Sequence, residues 1–534
     1  MENIKIFYNA KIYTIDKKRS VTNSIAIWNG KIISIGDFKK IKDDFNSVNS
    51  VFDKPKLIDL NGGTVLPGMT DSHIHLSSYA DSLREIDLFR CISEVDVITT
   101  LKEKKKKIKK GEWIIGRGWS QNDWIISSKP SKNSLDKAFP DNPVLINSKC
   151  GHIIWVNSLA LKFTNIIKNT KFPEGGEIEF DTITKEPTGI LKENAIYLIW
   201  NIIPIISDDE KKIILLDAIN QLLKNGITTI HIPDDIRTFS LLQELYRENK
   251  LKIRIHFLPP YSQLDNLINS KIKSSFGNEW IRMGGLKLFT DGSLGGRTAY
   301  MLESYEDDKK NFGICVTTEK ELYEIVSKAN KNGISTAIHA IGDRAVRETI
   351  NVFVKMKKEG LTKNIFLPNR IEHFQCVHPD DLSKLKNAGI VASVQPIHLK
   401  YDINGIEKYW GKRGRYAYAF KSLKKAGCLL AFGSDGPVED INPFIGIKSA
   451  VLRQDEKDYP AEGFYPEEKI SLDEAIIAYT QNPAIVSGEE NLKGTLEVGK
   501  LADFIIINKD IFKLNPDEID KIKVLKTFVN GKEV

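Results

Sequence analysis

The stretch LPGMTDSHIHLSSYA, residues 66–80, places His73 and His75 two positions apart, just after a Pro-Gly turn and Asp71. In a chain with nine histidines a His-x-His pair is expected only about 0.15 times by chance. On a strand, residues i and i+2 project to the same side, so both imidazoles can face one ion. Two imidazoles cannot fill a coordination sphere, and the remaining ligands have to come from other parts of the chain. His339 falls late in GISTAIHAIGD, His373 closes RIEHF and Asp435 ends LLAFGSD. Singly, such a histidine is a hydrogen-bonded core residue and Ser-Asp-Gly is a turn. Together, four imidazoles and a carboxylate at strand ends make a ligand set for a divalent ion, with zinc the best fit and nickel, manganese or iron also compatible. Such an ion draws the pKa of a bound water toward neutrality and so yields a hydroxide nucleophile. Asp435 is then the residue to accept the water's proton and pass it to the leaving group.

The elements that must position these residues are legible as eight β-branched runs separated by longer stretches of helical period. They are GTVLPGMTDSHIH (63–75), GITTIHIPDD (226–235), KIRIHFLPP (252–260), GGLKLFTDGS (284–293), GISTAIHAIGD (333–343), RIEHFQ (370–375), IVASVQPIH (390–398) and LLAFGSDGP (429–437). Eight such units predict an α/β fold built on a distorted (β/α)8 TIM barrel, with its active site at the C-terminal ends of the strands. Residues 3–65 read as a small antiparallel sheet, and GTLEVGKLADFIIIN (494–508) and VLKTFVNGKEV (524–534) return to the same style. The two ends therefore read as one composite β-sandwich. About 150 residues separate the first barrel strand from the second, far more than one barrel unit needs, so an inserted cap domain over the barrel mouth is expected. The expected division is 1–65 sandwich, 66–80 first barrel strand, 81–210 cap, 211–485 the remaining barrel and 486–534 sandwich.

Composition narrows the function class. With 77 basic and 70 acidic residues the net charge is only +7 over 534 residues, which predicts no nucleic-acid partner and no membrane surface. The block KEKKKKIKKG at 102–111 reads as a solvated helix face. The N-terminus lacks the apolar run of a signal peptide, and no stretch of about 18 apolar residues occurs, so no membrane span is expected. Cys91, Cys150, Cys315, Cys376 and Cys428 are odd in number and never closely paired, which suggests reduced thiols and a cytoplasmic location.

With these residues in view, the chain resembles the amidohydrolase superfamily and, within it, the amidohydrolase-3 or YtcJ-like branch, which includes N-substituted formamide deformylases. The resemblance runs almost end to end. It rests on LPGMTDSHIH, GRGW (116–119), GHIIWVNSLAL (151–161), GGLKLFTDGSLGGRTA (284–299), AIHAIGDRAV (337–346), RIEHFQ, FGSDGPV (432–438), AIIAYTQNPA (475–484) and GTLEVGKLADF (494–504). It implies hydrolysis of non-peptide C–N bonds, with His73, His75, His339, His373 and Asp435 as metal ligands. It adds Lys287 as a carboxylated lysine that bridges two ions, against the reading of an ordinary lysine beside one. It also offers Trp119, His152, Asp291 and Arg297 as substrate-binding residues, against core roles for Trp119 and His152. His231, His256 and His378 are expected to be structural and His398 to lie at the pocket rim.

The resulting expectation is a metal-dependent amidohydrolase with one or two divalent ions per chain, acting on an amide, formamide or cyclic amide in a small molecule, and forming a homodimer. A deaminase of an aminated heterocycle and a catalytically silent scaffold of the same fold remain the alternatives.

Overall fold

The computed structural model describes residues 3–47, 54–105, 108–119, 124–125, 130–148, 153–168, 170–171, 173, 176–386 and 388–534. The chain forms two compact units, Met1–Tyr79 with Leu215–Val534, and Ala80–Ile214.

In the first unit both chain ends contribute to one seven-stranded sheet. Its order is Lys532–Glu533, Val524–Val529, Phe504–Ile507, Lys56–Pro67, Lys5–Tyr13, Val21–Trp28 and Lys31–Gly36. The neighbours are antiparallel except at one place. Lys5–Tyr13 and Lys56–Pro67 run parallel, with Lys5 opposite Lys56 and Ile12 opposite Val65. Two strands and the helix Phe38–Ser47 lie between them in the chain, which supplies the crossover length a parallel pair requires. Phe7, Phe504 and Phe528 fill the core on one face, the last two stacked with centroids 4.4 Å apart.

The same unit holds the strands that carry the candidate site. We label them β1 (Met69–Asp71), β2 (Ile227–Ile232), β3 (Arg254–Phe257), β4 (Leu286–Phe289), β5 (Thr336–Ala340), β6 (Arg370–His373), β7 (Val391–Val394) and β8 (Leu429–Phe432). One falls in each of the eight runs read from the sequence. A parallel four-stranded sheet contains β1, β2, β3 and a short extra strand, Ile281–Met283, that was not expected; a parallel five-stranded sheet contains β4 to β8 in order. Backbone hydrogen bonds join the two sheets, from Lys287 N to Pro259 O at 2.8 Å and from Ser72 N to Phe432 O at 2.9 Å. Strands β2, β3, β6 and β7 are buried along their whole length, as parallel strands covered on both faces are, although each carries polar residues, among them His231, His256, Arg370 and Ser393. Helices such as Ile236–Arg247, Glu319–Lys331 and Asp343–Lys358 alternate with them. Thr318 starts the second of these helices with a capping box, accepting from Glu321 N.

The second unit has its own six-stranded sheet, in the order Gly176–Phe180, Pro187–Glu193, Ile153–Val156, Val144–Ser148, Ile114–Trp119, Ile86–Asp87. Its core is built around Trp119, Trp124 and Trp155. The helix Glu94–Lys105 carries the start of the basic block, and Lys102 and Lys104 on it are exposed; residues 106–107 of the block lie outside the described residues. Among the described residues no helix is long and apolar enough to cross a membrane. Cys91, Cys315, Cys376 and Cys428 are free thiols, and Cys150 lies outside the described residues.

The passage from the terminal sheet into β1 runs through Pro67 and Gly68, and Gly68 N donates to Asp503 O at 2.9 Å. A methyl group on Gly68 would lie 2.3 Å from Thr228 Oγ1 and 3.0 Å from Thr228 Cβ. Gly68→Ala is therefore expected to lower the unfolding free energy by about 1–3 kcal/mol through overpacking. A urea titration would show this as a lower midpoint with an unchanged slope.

Candidate metal centre

The exits of β1 and β8 are laced together, and this lacing creates the site. Asp71 is buried at the end of β1. Its Oδ1 accepts from His73 N (3.1 Å) and Ser434 N (3.0 Å), and its Oδ2 from Ser434 Oγ (2.5 Å). Asp435 N donates to His73 O at 2.8 Å and His75 N to Gly436 O at 3.0 Å. Gly433 makes the approach possible: a Cβ there would stand 2.5 Å from His73 N and 2.8 Å from Asp71 Oδ1.

This lacing brings the carboxylate of Asp435 among the histidines. Its Oδ1 lies 3.5 Å from His73 Nε2 and 3.4 Å from His75 Nε2, while its Oδ2 lies 3.4 Å from His398 Nε2. Two sets of potential ligand atoms result, His73/His75/Asp435 and His373/His398/Asp435, each within 4.8 Å. The His373 ring stands 5.0 Å from that of His73 and 4.5 Å from that of His339, centroid to centroid. His339 Nε2 donates to Gly292 O at 3.0 Å, which leaves its Nδ1 lone pair free. Lys287 is buried on β4, with its ammonium 4.7 Å from the Phe289 ring centroid.

Backbone strain helps to converge these groups. His373, Phe374 and Asp435 have φ of +68°, +46° and +60°. Alternation along a strand would send Glu372 and His373 to opposite faces. The left-handed turn at His373 instead lets both reach His73, Glu372 through a 2.5 Å contact from Oε2 to Nδ1 and His373 through its ring. Non-glycine residues held in this region mark places where the surroundings over-determine the backbone.

The electrostatics suit a cation. Burial, reinforced by the charge of Lys287, lowers the pKa of His73 to about 4 and that of His339 to about 3, so both are neutral donors at pH 7. Burial also lowers His373 well below the usual imidazole range. For Asp435 burial acts upward, but the close imidazoles of His398 and His75 outweigh it and hold the carboxyl well below its ordinary range. Burial acts downward on His398, yet Asp435 and Glu439 overcome it and push the imidazole up to about 10. Burial brings the Lys287 ammonium down to about 8. His73 Nε2, Lys287 Nζ and Asp435 Oδ1 are all buried with no hydrogen-bond partner. Orphaned polar atoms converging from three strand ends are what a ligand set requires, and a divalent ion fits them.

The other expected positions fall elsewhere. Trp119 is 2% exposed in the core of its own unit, its indole N–H donating to Ile146 O at 3.0 Å, so its place is that of a core aromatic. His152 lies outside the described residues. Asp291 is buried and spends its carboxylate on three backbone amides, Ile341 (3.0 Å), Gly342 (2.8 Å) and Tyr300 (2.9 Å), which makes it a brace of the loops behind His339. Arg297 points outward and pairs with Asp307 at 3.1 Å. His378 caps the helix Pro379–Leu385, and His231 and His256 are buried side by side. His398 belongs to the cluster itself. It sits on the helix Pro396–Trp410 and not on a strand, and Pro396 at the start of that helix was the available signal.

A profile of the amidohydrolase family matches residues 56–534. The chain belongs to this family. The YtcJ protein of Bacillus subtilis (strain 168) is 30% identical to it over 99% of each chain. An N-substituted formamide deformylase of Arthrobacter pascens is 25% identical over 98% of this chain and 96% of its own. The crystal structure of a metal-dependent hydrolase from Pyrococcus horikoshii OT3 superimposes with a TM-score of 0.81 at 30% identity, covering 96% of this chain and 99% of that one. This amidohydrolase is thus a hydrolase of C–N bonds with a mixed α/β fold shared by metal-dependent hydrolases, and neither the deaminase nor the silent scaffold is favoured.

Gly433→Ala tests the lacing. The added methyl is expected to displace His73 or Asp71, at a cost of about 1–3 kcal/mol. After incubation with a divalent metal, metal analysis of the purified variant should give less bound ion per chain than wild type, with an unchanged far-UV circular dichroism spectrum.

Proposed function

We propose that this amidohydrolase uses a divalent ion, zinc before others, to hydrolyse a non-peptide C–N bond of an amide, formamide or cyclic amide in a small molecule. The observation that carries the reading is the pair of His-His-Asp sets meeting at Asp435 around orphaned buried donors. The likeness to an N-substituted formamide deformylase supports formamides as the first substrates to test. In this reading the eight parallel strands form a distorted (β/α)8 barrel with the site at their C-terminal ends, the terminal sheet is part of a composite β-sandwich, and residues 81–210 are an inserted cap.

His73, His75, His373 and Asp435 would hold the ion or ions, with His339 beside them. Lys287 would join the set by carboxylation: its unprotonated amine would add to carbon dioxide with loss of a proton, and the resulting carbamate would offer anionic ligand oxygens. The buried, unpartnered amine with its lowered pKa supports this role. When bound, the ion supplies Lewis-acid polarisation of the scissile carbonyl and acidifies water. The side chains do the rest. Asp435 accepts the proton of the attacking water and returns it to the leaving nitrogen, so that water and a formamide become formate and an amine. His398 Nε2 stands 3.4 Å from Asp435 Oδ2 and would steady that oxygen as the proton carrier, while Oδ1 is turned toward His73 and His75.

Treatment with a chelator is expected to abolish hydrolysis of N-substituted formamides, and added Zn²⁺ to restore it. Full activity in a metal-free preparation would sink the proposal, and ammonia release from aminated heterocycles without formamide turnover would replace it with a deaminase. Asp435→Asn should lower kcat by about 10²–10⁴-fold. His398→Gln should lower kcat with KM little changed, as steady-state kinetics on one formamide would show.

A further inference from the structure

We propose that Arg370 and Glu372 are positioning residues of the metal centre, which fix His73 with its proton on Nδ1 and so present its Nε2 lone pair to the ion. The inference rests on the metal-centre reading above and goes beyond its ligand set. Glu372, fully buried, lies 2.5 Å from His73 Nδ1 through Oε2 and accepts a hydrogen bond from Arg370 Nε on Oε1. The same guanidinium donates from Nη2 to Ser72 O at 2.9 Å and from Nη1 to His231 Nδ1 at 2.9 Å.

The donor and acceptor roles follow from chemistry. A guanidinium has only donors, so His231 meets it with the Nδ1 lone pair and carries its proton on Nε2. Glu372 is paired through Oε1 with the guanidinium of Arg370, a fixed cation with donors only, so it is a carboxylate whose Oε2 accepts from His73. His73 therefore donates from Nδ1, and its Nε2, the orphaned atom nearest Asp435 Oδ1, is the lone pair left over. One Arg-Glu pair thus assigns opposite tautomers to two buried histidines: His73 is made a ligand and His231 is not. Arg370 also grips the backbone one residue before His73, so it holds the ring orientation from both sides. Partners of this kind typically contribute 10–100-fold to metal affinity.

The test uses Co²⁺ as probe on the full-length, metal-depleted protein, with competition against a chromophoric chelator. Glu372→Gln is expected to fold, to bind Co²⁺ about 10–100-fold more weakly and to shift its visible d–d bands. In ¹⁵N-histidine-labelled wild type, a strongly deshielded Nδ1 proton of His73 is expected, and it should vanish in Glu372→Gln. Asp503→Asn, which breaks the buried pair with Arg254 (2.6 Å) near the terminal sheet, serves as a control that loses stability but not Co²⁺ affinity. Equal Co²⁺ affinity in wild type and Glu372→Gln, or absence of the deshielded proton from wild type, overturns the proposal. If Glu372→Gln does not fold, the wild-type proton and the affinity of Glu372→Asp decide. A wild type that takes up no Co²⁺ overturns the metal-centre reading itself, whereas normal uptake by wild type and variant alike overturns only the positioning role.

Discussion

The site depends on one carboxylate placed where two strand exits meet. Asp435 stands within 3.5 Å of three imidazole nitrogens, and each of its oxygens faces a different set. It can do so only because Gly433 lets the β8 exit press on the backbone of His73 and because Asp71 holds Ser434 in place. Burial keeps His73, His339 and His373 neutral, because it costs a cationic ring far more than a neutral one. The same burial leaves lone pairs without partners, a condition that proteins avoid unless something is meant to meet them.

The interior of the parallel sheets explains how the ligands are oriented. Among the buried polar side chains there, one connected system runs from Asp435 through His73 and Glu372 to Arg370 and His231. Each member fixes what its neighbour can donate or accept. Asp291 plays the corresponding part for the loops behind His339, gathering three backbone amides on its carboxylate.

Much of this was legible in the sequence, for definite reasons. Buried parallel strands favour β-branched residues, so β1 to β8 fall within runs that the sequence marks, and ligand-type residues at the ends of four of them made His73, His75, His339, His373 and Asp435 the candidates. What escaped reading escaped through local geometry. His398 was hidden because IVASVQPIH looks like one strand, whereas β7 stops at Val394 and Pro396 opens a helix. Glu372 was hidden because strand alternation assigns neighbours 372 and 373 to opposite faces, and only the left-handed backbone at His373 overrides it. Trp119 misled for a similar reason. The register shifts between Arg117 and Trp119, with Gly118 at φ +95°, and that bulge returns Trp119 to the face already buried by Ile114 and Gly116.

The left-handed backbone at Asp435 also limits how the chain can change over evolutionary time. Aspartate, asparagine and glycine tolerate φ near +60°, whereas β-branched residues are strongly disfavoured there. Of the tolerated residues only aspartate brings an anionic oxygen to the histidines. Lineages that drift away from hydrolysis while keeping this fold would therefore pass most easily through asparagine or glycine at position 435, and the residue found there separates a working descendant from a retired one.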